Sequence, residues 1–97
     1  MELPLRPASQ HPQEHLPITF FDLPILAVRG ETGGIYLAVR DLCAAMNLSL
    51  GPQLRRIRQH HILQRGLARF IIYSARLKCL RFEIAALLLS DAEKASR

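Results

Sequence analysis

The sequence predicts a small α+β domain. Three observations predict it: short β-rich apolar runs toward both ends of the chain, a middle stretch whose apolar residues recur at helical spacing, and clusters of Gly, Pro and Asn at the changes of period. The expected order is a small antiparallel β-meander, a helix-turn-helix-like pair of helices, a β-hairpin and a short C-terminal helix. A chain of 97 residues has room for one such unit, and none for a barrel enzyme or a doubly wound nucleotide-binding fold.

Residues 1–17 hold Pro4, Pro7, Pro12 and Pro17, which argue for a flexible Pro-rich arm. The folded part is expected to span residues 18–90. It begins with the β-rich run Ile18-Thr19-Phe20-Phe21, turns at Asp22-Leu23-Pro24 and continues as a strand from Ile25 to Arg29. Gly30, Gly33 and Gly34 supply a loop able to take positive φ, and Ile35 to Val39 is a third strand. Asp41 is placed to cap a helix running through Met46, and Asn47 suits a left-handed stop. Ser49-Leu50-Gly51-Pro52 restarts a second helix, with Pro52 expected at its first position and Leu54, Ile57 and His61 along one side. After Gly66 the pattern is extended again. Ala68 to Ser74 and Leu77 to Phe82 read as two strands bent at Ser74-Ala75-Arg76, a wing-like unit. Ile84 to Leu89 closes the core as a short helix, and residues 91–97 read as a frayed tail.

The net charge is +5, and its placement says more than its size. Residues 1–50 carry three basic and five acidic side chains, whereas residues 51–97 carry ten basic and three acidic ones. Between Asp41 and Glu83 no acidic residue occurs, while Arg55, Arg56, Arg58, Arg65, Arg69, Arg76, Lys78 and Arg81 all fall there. Such a stretch is the footprint of a face that meets a polyanion or an acidic protein surface. Within it, Gln53, Arg55, Arg56, Arg58 and Gln59 on the second helix are long side chains suited to phosphates or base edges. Arg76, Lys78 and Arg81 on the hairpin suit phosphates. These eight form the candidate nucleic-acid-binding set.

Other chemistries find little support. Cys43 and Cys79 stand far apart in apolar surroundings, as reduced thiols packed like small hydrophobes. A zinc set of Cys43, His60, His61 and Cys79 lacks the close ligand pairs that structural zinc uses, so no metal is expected. His11 and His15 fall in the arm and carry no assignment. No nucleophile elbow, zinc-protease motif or phosphate loop is present, so neither catalysis nor a cofactor is expected. The longest apolar run, Ile84 to Leu89, is too short to cross a bilayer, and the N-terminus lacks the apolar stretch of a signal peptide, which predicts a cytoplasmic protein.

One segment resembles a known family. The run Ile35-Tyr36-Leu37-Ala38-Val39-Arg40-Asp41-Leu42-Cys43-Ala44-Ala45-Met46-Asn47-Leu48, preceded by an apolar strand and a Gly loop, is similar to the N-terminal domain of phage antirepressors, a family related to Bro-type N-terminal domains. Tyr36, Val39, Arg40, Leu42, Cys43 and Leu48 match its pattern in place, and Gln53, Arg56, Ile57 and Leu63 fall where it shows a Trp-x-x-Gln element, a basic helix and a Leu a few residues on. Leu80-Arg81-Phe82 followed by Ile84 to Leu89 looks like its closing strand-to-helix element. Leu50 stands where the family usually has Trp, and Ile84-Ala85-Ala86-Leu87 replaces its Leu-Pro-Gly-Trp segment. The resemblance spans residues 18–89 and implies a phage or prophage regulator of transcription.

Two partners fit the basic face. One is DNA, gripped by the second helix and the hairpin. The other is a phage repressor protein whose acidic or DNA-mimicking surface would meet the same cations, with Ile71, Ile72 and Tyr73 adding a β-edge contact. A truncated, inactive remnant is a third reading. A core of about 70 residues buries itself only marginally, so a homo-oligomer is also compatible.

Overall fold

The computed structural model describes residues 10–20 and 22–95. It is an α+β globule with one five-stranded antiparallel sheet and three α-helices. In chain order these are β1 (Glu14–Phe20), β2 (Leu23–Arg29), β3 (Ile35–Ala38), α1 (Val39–Ala45), α2 (Leu50–Gln59), β4 (Leu67–Ile72), β5 (Ala75–Arg81) and α3 (Phe82–Ala95). A short 3-10 turn, Leu63–Gly66, leads into β4.

The strand order is β1-β2-β3-β5-β4. The hairpin is therefore not a separate wing. Its strand β5 pairs with β3 (Leu37 with Leu80, Ala38 with Cys79), which merges hairpin and meander into one sheet. The chain just before β1 then reaches the opposite edge. Gln10 N–H donates to the Arg69 carbonyl at 2.8 Å, and Ile71 N–H donates to the Gln10 carbonyl at 2.8 Å. The sheet thus rolls partway toward a barrel, tied by the segment that leads into its first strand.

Alternation along the strands sorts the core into two clusters. On the side covered by helices lie Ile25, Leu37, Leu42, Ile57, Leu63, Leu80, Ala85 and Leu88. Inside the roll lie Val28, Ala38, Ala68, Phe70, Ile72 and Cys79, with Tyr36 packed edge-on against Phe70 at 5.0 Å. In β4 the buried positions Ala68, Phe70 and Ile72 alternate with half-buried ones, the mark of a strand with one face fully covered.

Several expectations shift. The expected arm falls partly on residues 1–9, outside the described residues, but β1 begins at Glu14 and so claims Pro17. Leu26 N–H is bonded to an Asp41 side-chain oxygen, so it points away from β1, and Pro17 opposite Leu26 points its own nitrogen outward. Pro24 has the same parity as Leu26 and lies beyond the end of β3, so neither proline deprives the ladder of a donor. Asp41 does not cap α1. The N-cap is Ala38, and Asp41 sits in the first turn, where its Oδ2 accepts from Leu26 N–H at 2.9 Å. Pro52 is the third residue of α2 rather than its first, still within the turn that needs no N–H partner. The hairpin bends at Tyr73-Ser74, one residue earlier than expected. The C-terminal helix starts at Phe82, two residues before the expected start, and continues through Ala95. The expected tail thus holds helix to Ala95, and residues 96–97 lie outside the described residues.

The left-handed stop is present. Asn47 has φ 57, Leu48 N–H reaches the Cys43 carbonyl at 2.8 Å, and Asn47 N–H reaches the Ala44 carbonyl at 3.2 Å. This is a Schellman closure, with Leu48 packed on the core beneath it. Four residues, 46–49, separate α1 from α2, which sets the two helices as a compact pair. No described helix is long and apolar enough to cross a membrane.

Candidate nucleic-acid interface

Helical geometry sorts the side chains of α2. At about 100° per residue, Ile57 faces the core with no exposed surface, and Leu54 packs beside it. Arg55 and Gln59 project to the opposite side, each about 160° from Ile57, and both are exposed. Arg56 and Arg58 flank them, each about 100° from Ile57; Arg58 is exposed, and Arg56 is half-buried and engaged within the chain. Gln53 lies only about 40° from Ile57. It is half-buried, and its Oε1 is shut off from solvent with no hydrogen-bond partner. The structure thus groups Arg55, Arg58 and Gln59 on one outward surface and turns Gln53 away from it.

Register decides the hairpin. Arg76 and Lys78 have the parity of Leu80, so they point to the helix side of the sheet. Arg81 has the parity of Cys79 and points to the other face, where its Nε lies 3.1 Å from Glu83 Oε2. Arg81 is therefore separated from Arg76 and Lys78 and already carries a carboxylate.

Two cations were missed, Arg65 on the turn after α2 and Arg69. Arg69 stands directly opposite Lys78 on the helix side. Because Arg69 O and Ile71 N are bonded outward to Gln10, Arg69 and Lys78 form a non-hydrogen-bonded pair, the closer kind in an antiparallel ladder. Like charges set opposite each other destabilise a sheet unless something neutralises them. The alternation Ala68, Phe70, Ile72 against Arg69, Ile71 was the signal that could have found it.

The distribution of carboxylates completes the electrostatics. Glu14 pairs with Arg29, Asp41 with Arg40 and Glu83 with Arg81, each at 3.1 Å. Arg55, Arg58, Arg65, Arg69 and Arg76 make no ion pair with any described carboxylate. All but Arg69, which is half-buried, are exposed.

The remaining chemistry-bearing groups are structural. Burial pushes the Cys79 thiol up to about 12, with the charge of Asp41 adding to the effect and that of Arg40 opposing it, and burial also raises Cys43. The two thiols sit in different core clusters, on opposite sides of the sheet. His60 Nδ1 accepts from the N–H groups of Ile62 at 3.2 Å and Leu63 at 3.3 Å, capping the turn after α2, and its ring stacks on that of His61. The β-edge contact imagined for Ile71, Ile72 and Tyr73 is largely taken, since Ile72 is buried and Gln10 occupies the edge of β4.

The chain matches no family model, no curated protein and no solved structure.

Proposed function

We propose that the domain is a DNA-binding module of a phage or prophage transcription regulator, acting in the cytoplasm. One observation carries the reading: five arginines that pair with no described carboxylate stand on α2, on the turn after it and on the helix side of the hairpin, while the pairs with Glu14, Asp41 and Glu83 involve other cations. Arg55, Arg58 and Gln59 are the contacts on the helix, Arg65 holds a phosphate from the turn after it, and Arg69 and Arg76 hold phosphates from the hairpin. Gln53 and Arg81 leave the contact set, and Arg56 and Lys78 border it. The antirepressor-like run through β3 and α1 supports the regulatory context, because it builds the Schellman turn that presents α2.

The test is fluorescence anisotropy with a mixed-sequence duplex between about 50 and 200 mM salt. Tight binding at low salt, steeply salt-dependent and weakened in Arg55→Ala/Arg58→Ala, is expected. A folded sample that binds neither duplex nor single-stranded DNA at the lowest salt would sink the reading and make a phage repressor the next ligand to try.

A further inference from the structure

The hairpin ends in a feature that the charge distribution does not explain. Tyr73 and Ser74 form the whole connection between β4 and β5, with φ of 51 and 65. Two consecutive residues at positive φ make the tight hairpin turn that Asn-Gly or Asp-Gly fills at least cost, because a Cβ is strained in that conformation. Tyrosine is a poor choice there on backbone grounds. It is also a poor choice on packing grounds, since Tyr73 is 88% exposed. The ring contact found for it is with His15 on β1, at 5.1 Å between centroids and 88° between planes. A strained residue whose large ring lies almost wholly in solvent serves neither the turn nor the core, and such outliers point toward a site.

We propose that Tyr73 is a stacking platform for an unstacked nucleobase, with His15 as the perpendicular wall of the corner, and that the domain therefore prefers DNA containing unpaired bases over continuous duplex. This rests on the DNA-binding reading and refines its ligand. The exposure of Tyr73 leaves at least one face of the ring open. The His15 ring, set at 88° to it, braces the tyrosine from β1. Arg76, exposed two residues past the turn, stands on the helix side of the sheet, so the strand that carries the base reaches it by passing over the tip of the hairpin. Within continuous duplex each base already has a neighbour on both faces, so an aromatic ring gains most from a base that has lost one. A protein partner fits the tip less well: Ser74, Ala75 and Arg76, which follow the ring in the chain, are small or charged and give an apolar partner little to bury.

The experiment compares three labelled DNAs of equal length at one salt concentration, using the full chain: a continuous duplex, the same duplex with a central bulge, and a single strand. Stacking of one base predicts that the bulged and single-stranded forms bind roughly 5- to 100-fold more tightly than the duplex. Tyr73→Ala should erase that ratio and Tyr73→Phe should keep it. Tyr73→Asn/Ser74→Gly guards against a folding defect, because it installs the preferred turn residues; it should raise Tm by several degrees and still abolish the preference. Equal binding of all three DNAs by the wild-type chain overturns the stacking site while leaving duplex binding at α2 standing, and so does a preference that survives in Tyr73→Asn/Ser74→Gly. Failure to bind any of the three removes the DNA-binding reading together with the site built on it.

Discussion

Salt dependence turns the arrangement of arginines into a number. Each phosphate neutralised on B-DNA contributes about 0.9 to the slope of log affinity against log salt. Arg55, Arg58, Arg65, Arg69 and Arg76 are the cations without a described carboxylate. If all five engage phosphates, the slope is about −4.5, and raising salt from about 50 to 200 mM weakens binding roughly 500-fold. Arg55→Ala/Arg58→Ala should flatten the slope to about −2.7, leaving a loss of roughly 40-fold over the same range. Arg76→Ala alone should flatten it by about 0.9, whereas Arg81→Ala, whose side chain faces the opposite side of the sheet and is held by Glu83, should leave it unchanged. Anisotropy titrations at four or five salt concentrations on circular-dichroism-matched variants measure these slopes. A wild-type slope shallower than about −2 would refute the five-arginine surface. A flattening by Arg81→Ala equal to that of Arg76→Ala would refute the assignment of faces.

Three predictions concern the scaffold that holds this surface. A methyl group on Gly66 would meet Ile84 Cδ1 at 2.6 Å and Ile84 Cβ at 3.1 Å, and the second atom cannot swing away without moving α3, so Gly66→Ala should cost about 1–2 kcal/mol in urea unfolding. Asp41→Ala strands the Leu26 N–H and should cost about 1–2 kcal/mol by thermal unfolding, while Asp41→Asn keeps an acceptor and recovers most of it. For the thiols, an unfolded cysteine ionises near 9.0 but folded Cys79 holds its proton to about 12, so the folded state binds the proton more tightly. That contribution is complete below pH 9.0 and is lost as pH rises toward about 12, which urea midpoints in that window should show. At neutral pH a thiol reagent should label Cys43 and Cys79 only as the chain unfolds; rapid labelling of the native protein would contradict their burial.

What was legible in the sequence was whatever depended on near neighbours. Asn47 ends α1 because a short polar side chain tolerates the left-handed region, and the Gly loop places Gly33 at φ 88, as its spacing between two strands suggested. The fold class follows from such signals. Illegible features depended on partners far along the chain. Pro17 argued against a strand, yet its nitrogen points off the ladder, which only the register against β2 reveals. Asp41 has the sequence look of a cap, but the distant Leu26 N–H, left without a ladder partner where β3 ends, claims its carboxylate. The same limit applies to the site. Periodicity within α2 put Arg55, Arg58 and Gln59 outward correctly, while Gln53 sits one turn from Ile57 and needed that phase to be drawn. Arg81 and Arg69 could be sorted only once the hairpin register was known, because a shift of one residue exchanges the faces.

The two sides of the rolled sheet divide the work. Inside the roll, Phe70 and Cys79 are fully buried, and Gln10 and His15 bring the start of the chain across to β4 and its turn. That closure protects the edge of β4 from pairing with another chain. It also braces Tyr73 through His15, so the exposed ring stands on a supported tip. On the helix side the apolar cover ends at Leu67 and Leu80, and the next rows of the ladder carry Arg69 with Lys78 and then Ile71 with Arg76. Arg69 stands there half-buried, with no described carboxylate beside it. An anion bound to it would stabilise the folded state by mass action, so sulfate or phosphate should raise the melting temperature of the wild-type chain more than that of an Arg69→Gln variant. Equal shifts in the two chains would mean that Arg69 is ordinary surface charge, and it would then drop out of the proposed contact set.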